Sequence, residues 1–179
     1  MKRPLTGGEL ALAASVFAGG LDPGPIRLSA LKLLPFQHPR IVMAGAGTVW
    51  FGRAVPADFA EGSVADRALL LHELTHLAQE QAGMEVWVRG VGAHVGAFLA
   101  RRSAYDYDRG PGRLAGRPFE HQAAIVEDAY RMLHGVEPRR PGARLDDLLA
   151  ALGHASRRAA SRSASAILGA PPLLRTPLR

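Results

Sequence analysis

The chain has 179 residues, enough for one domain with a sizeable core and additional terminal segments. It contains no cysteine, which excludes disulfides, thiolate metal sites and a cysteine nucleophile and leaves the compartment open. The net charge is +6, but five arginines and no acid lie between His154 and Arg179, so residues 1–153 carry only +1. That near neutrality and an aromatic content of 6% argue against a nucleic-acid-binding fold.

Met1-Lys2-Arg3 followed by the apolar residues 10–20 has the outline of a secretion signal. Thr6-Gly7-Gly8-Glu9, however, reads as a capping box that opens an amphipathic helix. Leu10, Ala13, Ala14 and Phe17 would share its apolar face, and Gly19-Gly20 would close it. No stretch reaches the ~18–20 apolar residues needed to span a bilayer, so a cytoplasmic protein is expected, with export as the alternative. Residues 21–25 are a turn, and Ile26-Arg27-Leu28 alternates as a short strand with Ile26 and Leu28 inward. His38, in a proline-bearing loop, reads as a surface histidine. Residues 41–44 and 48–51 flank Gly45-Ala46-Gly47 as a β-hairpin; with no Lys-Ser/Thr following, these glycines are not a phosphate loop.

Residues 67–81 organise the chain. They contain His72-Glu73-Leu74-Thr75-His76, an HExxH motif in a helical pattern opened by Ser63 with Asp66 and stopped by Gly83. Histidines four residues apart lie about 6 Å along the axis and about 40° apart around it, so both can reach one tetrahedral metal ion. Glu73 projects about 100° away from His72, away from a ligand position and toward a water at the metal. Ala68, Leu69, Leu70, Leu71, Leu74, Leu77 and Ala78 make the helix apolar on most sides, so the histidines and the glutamate are expected to be buried and need partners.

Beyond the helix, residues 85–89 alternate, residues 90–96 are glycine-rich and contain His94, and residues 97–116 read as irregular. Asp106 and Asp108 lack the remaining ligands of a calcium loop, while Tyr105 or Tyr107 is a candidate to polarise a carbonyl. Pro118 opens and Gly135 closes a second strong helix, and a shorter one follows over residues 145–152. The sequence thus divides into a domain over 1–153 and a basic Ala/Ser/Arg/Pro-rich tail over 154–179.

A catalytic zinc site has three protein ligands and one open position, so a third ligand is required. Glu80 lies roughly 12 Å along the axis from His72, too far to share a metal ion. Gln79 and Ala82 stand where a metzincin would carry glycine and a third histidine. Glu120 and Glu127 are about 10.5 Å apart along the second helix, so one of them at most can bind. Ala123 and Ala124 beside Glu120 allow close helix approach, which favours Glu120; Glu127, Asp128, His94 and His121 remain open, the first two also as partners that fix a histidine tautomer.

The HExxH segment resembles the active-site helix of zincin metallopeptidases of the gluzincin type, and the absence of cysteine sets it apart from the peptide-deformylase type. Met-Lys-Arg-Pro-Leu-Thr at the start, Leu-His-Glu-Leu-Thr-His in the middle and Glu-His-Gln-Ala-Ala-Ile-Val-Glu-Asp later are similar to a small bacterial family labelled Vgr-related, itself similar to zincin domains encoded near contractile injection systems. The similarity spans residues 1–135. Its Glu-Gln-Gln-Ala pattern implies the ligand role for Glu120, although this chain departs from it at His121. The resemblance implies an α+β zincin-like fold, with a small antiparallel sheet packed on the HExxH helix and a ligand-bearing second helix. In such folds an antiparallel edge strand beside the HExxH helix pairs with substrate, and residues 48–51 are the candidate.

The expected function is zinc-dependent peptide hydrolysis, with one Zn2+ per chain held by His72, His76 and Glu120 and with Glu73 as general base. Expected partners are a peptide or protein substrate and a secretion-system-associated protein, without specific nucleic acid or a membrane span. The alternative is a catalytically silent zincin-fold module with a structural or interaction role.

Overall fold

A computed structural model describes residues 2–35, 37–38, 41–84, 114 and 117–151. Glu85, His94, Tyr105, Asp106, Tyr107, Asp108 and the 154–179 segment lie outside the described residues. The architecture is α+β, a small mixed sheet with four helices among the described residues.

The N-terminal helix α1 (Gly7–Phe17) forms where its capping box predicts. Thr6 accepts from the Glu9 backbone N–H and Glu9 reaches back to the Thr6 N–H. Its buried face is rotated from the predicted one, comprising Glu9, Leu12, Ala13, Val16 and Phe17, while Leu10 and Ala14 are exposed. The reason is Glu9, whose carboxylate collects two hydrogen bonds from Arg3 (2.7 and 2.8 Å) and one each from the N–H groups of Thr6 and Phe59 (both 2.9 Å). Turning the helix to bury Leu10 would break that network, and an unpaired buried carboxylate costs more than one exposed leucine. At Gly8 the helix runs so close to the chain ahead of α2 that an added Cβ would sit 2.8 Å from Ala60 Cβ.

The sheet has strands β1 (Lys2–Arg3), β2 (Arg27–Ser29), β3 (Met43–Gly45) and β4 (Thr48–Trp50), in spatial order β1-β2-β4-β3. The antiparallel sheet expected from the sequence is corrected here to a mixed one. β1–β2 and β3–β4 are antiparallel, but β2–β4 is parallel, with Leu28 opposite Val49. The connection from β2 leads to β3 at an outer position, so β4 returns beside β2 in the same direction. Gln37 holds that connection in place: its side chain accepts from Leu33 N (2.7 Å) and donates to Ile41 O (2.8 Å) and Trp50 O (3.0 Å). Residues 48–50 are therefore an interior strand, not the predicted edge. β1 and β3 are the edges, and β3 packs beside the HExxH helix. The hairpin turn at Ala46-Gly47 has positive φ at both residues (49° and 67°), the two-residue geometry that suits strand twist. Ile26, Leu28, Val49 and Phe51 are fully buried between sheet and helices.

Helix α2 (Val64–Gln81) carries the HExxH motif and has the predicted Ser63/Asp66 capping box. Residues 70–79 are buried without interruption, so the helix is central. Helix α3 (Phe119–Leu133) packs along it, and α4 (Leu145–Ala151) covers α3 with Leu145, Leu148 and Leu149. Both α2 and α3 end on the predicted glycine. Gly83 (φ 86°) and Gly135 (φ 73°) take the left-handed conformation, and Met84 N and Val136 N reach back to Gln79 O and Arg131 O, each at 2.9 Å. Among the described residues no helix is long and apolar enough to cross a membrane.

Candidate metal centre

The centre lies between α2 and α3. Helical spacing puts His72 and His76 on one face of α2, their rings 5.0 Å apart, and the first turn of α3 brings Glu120 against both. One donor atom from each of His72, His76 and Glu120 lies within 4.8 Å of the others, and all three residues are buried. Glu120 Oε2 is 3.6 Å from His72 Nε2 and 3.3 Å from His76 Nε2. These separations are long for charge-assisted hydrogen bonds, which fall near 2.7–2.9 Å. They match the edge of a tetrahedron with ligand bonds of about 2.0–2.1 Å, which is roughly 3.4 Å.

The other ring nitrogens are also engaged. His72 Nδ1 faces Glu127 Oε2 at 3.1 Å, and His76 Nδ1 faces Gln79 Oε1 at 2.9 Å. A carboxylate can only accept, and the Gln79 amide nitrogen is turned to Phe119 O (2.9 Å), so both partners present acceptor oxygen to Nδ1. The Gln79 hydrogen bond fixes the His76 proton on Nδ1. The Glu127 carboxylate, at ion-pair distance without hydrogen-bond geometry, favours the same tautomer for His72, so in the neutral imidazoles the Nε2 lone pairs face the space beside Glu120. Two imidazole nitrogens and one carboxylate form a donor set that suits zinc. The buried His72–His76–Glu120 group could hold a metal ion.

Burial pushes the His72 imidazole down, but the Glu120 and Glu127 carboxylates and the charge of Glu73 outweigh it and raise the group, so this pocket favours a positive charge between its carboxylates. For Glu120, burial acts upward and is overcome by His72 and His76, which hold the carboxyl far below the usual range. Glu127 is held low against its own burial by His72 and Arg139. Glu73 differs. Burial pushes its carboxyl up, His72 and His76 oppose, and Glu120 and Glu127 push it further up. Its Oε2 is buried and has no hydrogen-bond partner among the described residues. Glu73 Oε2 is thus a buried carboxylate oxygen beside the His72–His76–Glu120 group, in an environment that disfavours its charge.

The structure thus brings together His72, Glu73, His76 and Glu120. Glu127 contacts His72 on the nitrogen turned away from Glu120. Asp128 instead accepts from the backbone N–H groups of Arg139 (2.6 Å) and Arg140 (3.3 Å). His121 is half-buried and outside the cluster, and His38 is exposed. Glu80, set aside on axial distance, accepts from Ala46 N (2.8 Å) and Gly47 N (3.2 Å) and fastens the hairpin turn to α2. Sequence reasoning missed Gln79, Gln122 and Arg139 as supporting residues. Gln79 lies three residues from His76 on the same helix face, and that spacing was the available signal.

No protein-family model matches the chain. It is 34% identical over 131 residues to the type VI secretion system spike protein VgrG2b of Pseudomonas aeruginosa, an alignment covering 72% of this chain. The chain spans only 13% of the length of that protein. Among solved structures, the effector domain of Pseudomonas aeruginosa VgrG2b superimposes with a TM-score of 0.67 at 32% identity, covering 72% of this chain and 73% of that domain. With sequence and fold agreeing over nearly three quarters of the solved domain, the chain belongs to the family of the VgrG2b effector domain.

Proposed function

We propose that the chain is a zincin-like, zinc-dependent metallopeptidase domain associated with a type VI secretion system. The observation that carries the reading is the convergence of His72, His76 and Glu120 with the unsatisfied carboxylate of Glu73 beside them. His72, His76 and Glu120 would hold one zinc ion. When bound, zinc supplies Lewis-acid chemistry, polarising the scissile carbonyl and making water a better nucleophile near neutral pH. Glu73 accepts a proton from the attacking water as the carbon–oxygen bond forms. It then gives that proton to the leaving amine nitrogen as the carbon–nitrogen bond breaks. A carboxyl held high by burial suits both transfers. The catalytic unit would lie within residues 1–153, with the basic 154–179 segment apart from it.

The association with secretion follows from relationship. VgrG2b is a spike protein of a type VI secretion system, and the part of it that this chain matches is an effector domain. Export, a spike-protein partner and a peptide or protein substrate outside the producing cell are proposed on that ground. A catalytically silent module is the second reading. What favours it is that a carboxylate stands near each ring nitrogen of His72, so protein groups alone can balance a charge on that imidazole.

Metal analysis of the purified chain beside His76→Ala and Glu120→Ala tests the site. About one zinc per chain is expected, lost in both variants. Zinc retained in Glu120→Ala would move the ligand role elsewhere, with His94 next in line. Absence of zinc from wild type after reconstitution would overturn the metal reading. Hydrolysis of a protein substrate by wild type but not by Glu73→Gln separates the enzyme from the silent module.

A further inference from the structure

We infer that Gln79 is a positioning residue that couples the ligand nitrogen of His76 to the placement of Glu120; this rests on the metal reading above. Its amide works at two ends. Oε1 meets His76 Nδ1 at 2.9 Å, while Nε2 donates to Phe119 O at 2.9 Å and to Gln122 Oε1 at 3.1 Å. The Phe119 carbonyl can only accept, so the amide cannot flip without setting its oxygen against another oxygen. The Gln122 amide is locked in the same sense, because its Nε2 donates to Arg117 O at 2.8 Å.

The acceptors of Gln79 belong to the start of α3, on either side of Glu120: Phe119 directly before it and Gln122 two residues after it. That start has no side-chain cap, since Pro118 makes no capping hydrogen bond. The Gln79–Gln122 latch therefore supplies side-chain hydrogen bonds that register the first turn of α3 against α2. The Phe119 ring also lies 5.4 Å from the His76 ring. Loss of the amide would release the proton position of His76 and the register of Glu120 together. His72 is independent of this latch, because its Nδ1 faces Glu127, which Arg139 also contacts at 3.3 Å.

The test uses the full chain. Zinc affinity is read by competition with a chromogenic chelator, and the histidine nitrogens of the zinc-loaded protein by long-range proton–nitrogen NMR. Gln79→Met is expected to lose about 10–100-fold in affinity. Its His76 Nδ1 proton should exchange faster with solvent while that of His72 is unchanged, a selectivity that general loosening of the fold would not produce. Gln79→Glu keeps an acceptor for His76 but no donor for Phe119, and carries the test if Gln79→Met does not fold. It should retain the His76 signal and still lose about tenfold in affinity. Affinity within about twofold of wild type in Gln79→Glu overturns the coupling. Wild-type behaviour in both variants overturns the positioning role and leaves the metal reading intact. A wild type that takes up no zinc overturns the metal reading and the role of Gln79 with it.

Discussion

Two buried glutamates with opposite arrangements organise this molecule. Glu9 is completely buried, and each of its oxygens receives two hydrogen bonds, from Arg3, Thr6 and Phe59. Glu73 is 4% exposed, and one of its oxygens has no partner among the described residues. A carboxylate accepts about four hydrogen bonds, so Glu9 is saturated and Glu73 is not. Their electrostatics diverge accordingly. Burial pushes both carboxyls up; for Glu9, the hydrogen bonds of Arg3, Phe59 and Thr6 prevail and hold it low. For Glu73 burial prevails. Glu9 is thus tied into the packing of α1, while Glu73 keeps an oxygen open, as the role proposed for it requires.

The sharpest way to break this contrast is to neutralise each carboxylate. Glu73→Gln should lower peptide hydrolysis by about 100–10,000-fold, the usual contribution of a general base. Zinc content and thermal stability should be unchanged or improved, because removing an unsatisfied buried charge relieves desolvation. Full activity in this variant would sink the assignment of Glu73. Glu9→Ala should do the reverse, costing about 3 kcal/mol in a denaturant titration while zinc stoichiometry is retained in the folded fraction. That figure lies at the low end for breaking a buried pair, because Arg3 is partly exposed.

Acid sharpens the same comparison. The folded-state carboxyl of Glu9 lies below its ordinary value of 4.5, so its stabilisation is fully present above that value. It is lost as pH falls through the lowered folded value, because the unfolded chain takes up the proton first. Urea midpoints measured from neutral pH downward should therefore fall less steeply in Glu9→Gln than in wild type below about pH 4.5. Parallel curves would mean that the Arg3–Glu9 network contributes nothing to acid stability. The smallest effects belong to local devices. Ser63→Ala should cost about 1 kcal/mol through the α2 cap. Glu80→Ala should cost a similar amount, about 1 kcal/mol, by releasing the hairpin turn from α2. Chemical denaturation of each variant gives both values.

Much of this organisation is local and therefore readable from neighbouring residues. Thr6 with Glu9, Ser63 with Asp66, and the stops at Gly83 and Gly135 delimit three helices within one or two residues of where they occur. His72 and His76 share a face because a helix repeats every 3.6 residues. What was misread depended on partners distant in sequence. The buried face of α1 followed Glu9, whose carboxylate joins its near neighbours Arg3 and Thr6 to Phe59, fifty positions away. The parallel pairing of β2 with β4 depended on the path of the intervening connection, which short strands do not reveal.

The candidate site divides the same way. Helical periodicity alone determined that two imidazoles would share one face of α2, with one glutamate projecting about 100° round from the first. It narrowed the third ligand to a few acids and histidines, and the family resemblance favoured Glu120. Only the tertiary structure decided that α3 packs with Glu120 3.3 Å from His76 while Glu127 lies on the opposite nitrogen of His72. The cap motifs and the HExxH spacing are properties of one helical turn, fixed by bonds between near neighbours. Which carboxylate meets which nitrogen is a property of two helix surfaces, and a one-residue shift in their packing would rotate Glu120 by about 100° and remove it from the centre.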